Sequence, residues 1–148
     1  MIRRIGTLAE AEAALGCFNA FHDGFIKELV LRSHDRFEYR GVHAMSGRLD
    51  LEIRFAHYNY RAGEPPADQL ILASFHRVRD LVTDIPHWHG EWSIDRVEIE
   101  TATRRAGMNE EECLAGRIVL HRLLDGAWTT QTGLRFTFAD AEIEELCG

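Results

Sequence analysis

Eight histidines are the feature of this 148-residue chain that most invites chemistry. The sharpest local pattern is His87-Trp88-His89. In an extended strand, residues two apart project from one face. Both imidazoles could therefore reach one metal ion, with Asp84 or Glu91 near enough to add a carboxylate. A zinc site needs three or four ligands, and no second motif supplies the others. Pro86 to Gly90 reads more simply as a surface loop of amphipathic side chains. His22-Asp23 sits where the first helix hands over to the first strand of the period-two region. It offers an acid–base pair or two more metal ligands, but Asp23 before Gly24 is also an ordinary turn with His22 hydrogen-bonded nearby. His57, His76 and His121 fall within strands, and His57 continues the apolar face that begins at Leu49. It is expected to point inward as a neutral imidazole. No cofactor is expected, and His22, Asp23, His87 and His89 form the alternative metal set.

Nucleophile and phosphate motifs are absent: there is no G-x-S-x-G elbow, P-loop, G-x-G-x-x-G or H-E-x-x-H. The balance therefore leans away from an enzyme. What remains are paired carboxylates two residues apart, Asp50 with Glu52 and Glu98 with Glu100, each pair on one strand face. Arg54 and Arg96 share those rows, so cross-strand ion pairing on a solvated face competes with a binding role. Rows of this kind side by side would give a rigid acidic band suited to a basic protein partner.

Charge narrows the partners further. Lys and Arg number 17 against 24 Asp and Glu, a formal net charge of −7, and the sequence pI is about 5.6. A nucleic acid needs several cationic side chains on one face, whereas no basic run here exceeds two residues. Nucleic acid and anionic membrane are disfavoured. No run approaches the ~18 apolar residues of a membrane span, and the basic residues after Met1 precede no apolar signal-peptide region. Cys17, Cys113 and Cys147 show no metal or disulfide spacing, and a reducing cytoplasm is the expected setting. Cys17 and Cys113 read as buried, inert thiols.

The elements that must position these groups are legible as periods. Thr7 with Glu10 makes a capping box, and Leu8, Ala11, Leu15 and Phe18 follow on one stripe, so a helix is expected, ending between Gly16 and Ala20. From Gly24 the period becomes two. Strands are expected over Gly24–Arg32, Leu49–Ala56, Leu70–Val78, Ile94–Thr101, Leu114–Leu124 and Trp128–Phe138, and Phe37–Met45 is long enough for a further short one. Leu49, Leu51, Ile53 and Phe55 alternate with Asp50, Glu52, Arg54 and Ala56, the mark of an antiparallel strand half open to water. Arg61–Asp68 and Ala102–Glu112 read as loops, and Arg79–Trp92 as a loop or short edge strand. Asp125-Gly126 is the strongest hairpin signal, and Gly133 marks a bulge. A short terminal helix is expected from Asp140, with Ile143 and Leu146 as its apolar contacts. The chain is thus read as one α+β domain over residues 1–148: about six antiparallel strands in a single sheet between two short helices.

Phe21-His22-Asp23-Gly24-Phe25-Ile26, leading straight into an amphipathic strand, resembles the opening of small bacterial immunity-like proteins of polymorphic toxin systems and neighbouring β-rich domains. Trp92-Ser93-Ile94 and Leu134-Arg135-Phe136-Thr137-Phe138 are similar to them too. The resemblance is one of layout over most of the chain, and it carries across no catalytic residue. It implies a non-enzymatic, soluble, β-rich protein. Three readings follow: a protein-binding domain using Asp50, Glu52, Glu98 and Glu100; a metal-binding protein or metal-dependent enzyme; and a small-molecule site built from Tyr58, Tyr60, Trp88 and Trp92.

Overall fold

A computed structural model describes residues 2–37, 43–44, 48–58, 68–84 and 92–146. Thr7 caps helix α1 (Leu8–Cys17) as expected, the Glu10 N–H donating to Thr7 Oγ1 at 3.2 Å; the return bond of the box is shifted by one residue, Glu10 Oε1 accepting from the Gly6 N–H at 3.2 Å. The helix buries Ala11 and Ala14. Phe18, just beyond it, is buried as well.

Among the described residues, nine strands form two antiparallel sheets rather than one. In the first, the order is β1 (Ile2–Ile5), β11 (Asp140–Leu146), β6 (Asp68–His76), β5 (Leu49–Tyr58), β2 (Phe25–Ser33). In the second it is β7 (Arg79–Thr83), β10 (Ala127–Phe138), β9 (Asn109–Leu124), β8 (Ser93–Ala106). A two-stranded ribbon, β3 (Arg36–Phe37) with β4 (His43–Ala44), prolongs the β2–β5 hairpin, and the His34 backbone N–H donates to the Arg48 carbonyl on the way. Two stretches pass from sheet to sheet: β6 into β7 through Arg77 and Val78, and β10 into β11 through Ala139. The Ala139 N–H donates to the His76 carbonyl, so these passages run side by side.

Both sheets contribute to one core. Leu51, Ile53, Phe55, Ile71 and Phe75 come from the first; Ile94, Val97, Ile118, Leu134, Phe136 and Phe138 come from the second. Phe75 joins them, its ring 4.7 Å from Phe136 and 5.0 Å from Phe138. Gly116 lies opposite Phe136, and a Cβ there would come within 2.9 Å of the ring tip. Of the apolar stripe and strand face expected from the sequence, Ala11, Phe18, Leu51, Ile53 and Phe55 are buried, and Leu8, Leu15 and Leu49 are half-buried.

Several expectations need correction. The C-terminal helix from Asp140 is strand β11: Ala141 and Ile143, two apart, face the core, and the segment pairs with β6 on one side and β1 on the other. Ladder bonds on both sides outweigh a three-residue helical spacing in so short a segment. Ala102–Glu112 is not a loop but the outer half of the β8–β9 hairpin, turning at Gly107-Met108. Its polar faces reflect a ribbon that runs past the core. Ile2–Ile5 is an additional strand, and Arg79–Thr83 takes the edge-strand option. Asp125-Gly126, both at positive φ, turns β9 into β10 as expected, and the register shift between Thr132 and Leu134 places a bulge at Gly133. Among the described helices none is long and apolar enough to cross a membrane.

Candidate functional site

Four titratable groups converge where β2 leaves the helix and meets β8 and β9. The backbone delivering them is unusual: Asn19, Ala20, Phe21 and Asp23 all have φ between 50° and 61°. Left-handed conformations of residues other than glycine cost roughly 1–3 kcal/mol each and persist only where surroundings enforce them. Here the enforcement is packing. Phe21 is buried and stacks on Phe55 at 4.4 Å and on Phe18 at 5.3 Å. Gly24 then approaches the Phe21 and Ala56 carbonyls so closely that a Cβ would sit 3.0 Å from both oxygens. The Asp23 N–H donates to the Ile94 carbonyl, and the Ile94 N–H donates to the Gly24 carbonyl. The two sheets are stitched together at this point.

A second device aims the carboxylate of Asp95. Ile94 pairs with Leu120 and Arg96 with Val119, so Asp95 is the extra residue of a bulge. A bulge re-aims a side chain locally. Asp95 Oδ1 lies 3.2 Å from His121 Nδ1, and Asp23 Oδ1 lies 3.3 Å from His121 Nε2. The His121 imidazole, only 6% exposed, is therefore held between two carboxylates. His22 Nδ1 donates to the Asp95 carbonyl at 2.9 Å, which leaves Nε2 to face Asp23 Oδ2 at 3.4 Å. The Trp128 ring lies 4.8 Å from His121 and is itself 64% exposed. Chemically this is an oriented His–Asp network with an aromatic wall. Nevertheless, among the described residues no group of three or more His, Cys, Asp or Glu side chains is arranged to hold a metal ion.

From this network a chain of ion pairs runs down the outer face of the second sheet. Arg96 bonds both Asp95 and Glu98, and Arg117 bonds Glu98, its Nε at 3.1 Å. Arg96 first and Arg117 second hold the Glu98 carboxyl below its usual range. Next to Glu98 the face sinks into a shallow depression of about 620 Å³, whose walls include Asp80, Val82, Glu100, Arg117 and Arg135. Glu100 is exposed, and no ion pair among the described residues involves it.

The four carboxylates read as a band are thus divided. Glu98 and Glu100 lie on the second sheet, and Asp50 and Glu52 on the first. Asp50 is 7% exposed and serves as an internal anchor, not a solvated charge. It accepts from His34 Nε2 at 2.8 Å and from the Arg77 N–H at 3.2 Å, with His76 Nδ1 3.3 Å and Arg48 Nη2 3.5 Å away. Burial alone would raise its carboxyl, but the bonds from His34, the Arg77 backbone, His76 and Arg48 hold it at about 2. Glu52 pairs with Arg32 at 3.3 Å. His57 is buried beside Phe18 and Phe21, and burial depresses its pKa against the pull of Gln69 and the Phe18 carbonyl. His87 and His89, with Trp88 and Tyr60, lie outside the described residues.

No family model, no curated protein and no solved structure matches the chain.

Asp95, His121 and Trp128 share no sequence pattern that would announce them together. Their convergence depends on a bulge and a hairpin register that periodicity does not reveal. The signal within reach is His121 itself, a polar residue set after Val119-Leu120 in an apolar strand.

Proposed function

We propose that this chain is a non-catalytic protein-binding domain of the immunity-like kind, which neutralises a basic partner across the outer face of its second sheet. The observation that carries the reading is the composition of that face. Trp128 stands exposed at one end, the depression with Glu100 and Asp80 occupies the other, and the Arg96–Glu98–Arg117 chain lies between. Exposed Trp and ordered Arg side chains are the types that most often dominate protein interfaces. A carboxylate outside any ion pair, as at Glu100, favours a partner offering Lys or Arg, and the net charge of −7 assists its approach. The resemblance of Phe21–Ile26 and Leu134–Phe138 to immunity-like proteins points the same way, and a reducing cytoplasm is the corresponding setting. Asp50 and Glu52 take no part in this contact.

The test is to isolate the protein that co-purifies with the chain from its own cell, then measure purified binding. Glu100→Gln and Trp128→Ala should each weaken it, the former less at high salt, with melting unchanged. Full affinity in both variants would refute the assignment of this face.

Of the alternative metal set only His22 and Asp23 lie among the described residues, and the groups they meet, His121 and Asp95, are not arranged with them to hold a metal ion. A zinc titration followed by thermal melting tests the metal-dependent alternative. Stabilisation that disappears in both His22→Ala and His121→Ala would favour that reading over the first.

A further inference from the structure

Strand β2 is an edge. β5 pairs with one side of it, and beyond Gly24, where β8 touches it, no described strand pairs with the other. An open row of backbone N–H and C=O groups is a template for a further strand. The β3–β4 ribbon continues the hairpin lengthwise, away from this edge.

Glu28-Leu29-Val30-Leu31-Arg32 matches itself when run antiparallel. With a two-fold axis at Val30, Glu28 falls opposite Arg32 of a second copy, and this happens twice. Leu29 falls opposite Leu31, also twice, and Val30 meets Val30. Opposite charges and apolar pairs directly across a ladder are favourable, and like charges are not. A continuous sheet permits only registers that keep both cores on one side. The next such register, centred on Leu29, opposes Glu28 to Val30 and Lys27 to Leu31, losing both charge pairs. Two further features fit. Leu31 lies opposite Leu51 on the core side yet is 48% exposed, so the core is open at this edge. The bulge at Lys27, between Ile26 and Glu28 in the register with β5, ends the regular ladder and confines pairing to the matching segment.

We propose that this chain forms a two-fold dimer by antiparallel pairing of β2 with β2 of a second copy, centred on Val30, which joins the two five-stranded sheets into one. The contact is isologous, as closed dimers require. It is independent of the protein-binding reading, because the face proposed there belongs to the other sheet.

The experiment is molar mass by light scattering across micromolar to millimolar concentrations, on the intact chain and two exposed-site variants. The wild type should rise towards dimer mass with concentration. Glu28→Arg sets an arginine against Arg32 across the axis, and Arg32→Glu sets a glutamate against Glu28, so each variant alone should remain monomeric. Mixed in equal amounts, they should dimerise, because every cross-copy pair is then complementary. A Val30→Cys chain should cross-link to itself on oxidation, whereas Phe25→Cys should not. A wild type that stays monomeric throughout would overturn the proposal. So would a dimer indifferent to both charge reversals, or one whose loss is not repaired by mixing.

Discussion

At the scale of single residues, the most telling side chain is Asp50, because alternation assigns it to a solvated row and the fold makes it a knot. It does lie on the side of β5 away from the core, as its alternation with Leu51 requires. What periodicity does not show is that His34, Arg48, Arg77 and His76 crowd over that side at the end of the strand. The consequence is a definite acid sensitivity. The folded carboxyl titrates at about 2 rather than the ordinary 3.8. The unfolded chain therefore binds the proton first. The stabilisation is present above about pH 4 and is lost as pH falls towards 2, amounting to about 2 kcal/mol. Denaturant melts at stepped pH should show this loss in the wild type, and Asp50→Asn should flatten it while lowering stability at neutral pH. His57 should act higher on the scale. Its folded pKa is depressed below 6.5, so stability falls as pH drops through that value and beyond. Replacing it with Leu should remove that part of the slope.

At the scale of elements, periodicity locates the long strands well and fails where a bulge or a second partner intervenes. In β2 the extra residue at Lys27 re-phases the strand, so Ile26 joins Leu29 on the inner side instead of opposing it. In β8 the extra residue at Asp95 does the same, putting Ile94 with Val97 in the core and freeing Asp95 to reach His121. The candidate site is therefore only half legible in the sequence: His22-Asp23 stands out, and the strand defect that completes it does not. The few apolar residues of β11 fit a helix and a strand alike, and only the neighbours on both sides decide. The close seating of Phe136 on Gly116 gives a prediction at this scale. Gly116→Ala pushes a methyl against a ring already wedged by Phe75 and Phe138, and should destabilise by about 1–3 kcal/mol through overpacking. Chemical denaturation measures it, and a change within ~0.5 kcal/mol would show that the ring moves aside.

At the scale of the whole molecule, the shared core implies that the sheets unfold together. Ile53→Ala in the first sheet and Phe136→Ala in the second should each cost about 2–5 kcal/mol, by lost transfer energy and residual cavity. Each should also lower a single transition, with Trp fluorescence, to which Trp128 of the second sheet contributes, and far-ultraviolet circular dichroism moving together. Separate midpoints would mean that the stitch at Asp23, Gly24 and Ile94 does not couple them.

The pairing of β1 with β11 also sets an order of events during synthesis. Ile2 finds its partner in Glu144 and Ile5 in Ala141, with every other described strand lying between them in sequence. A ribosome releases Ile2–Ile5 long before Asp140–Leu146, its ladder partner among the described residues, so this strand must wait without a template. Closing so long a loop is entropically slow. Until Asp140–Leu146 emerges, β6 also lacks the neighbour that later covers its side. Nascent chains stalled before that point should therefore be the ones a holding chaperone captures, and release should coincide with the arrival of β11.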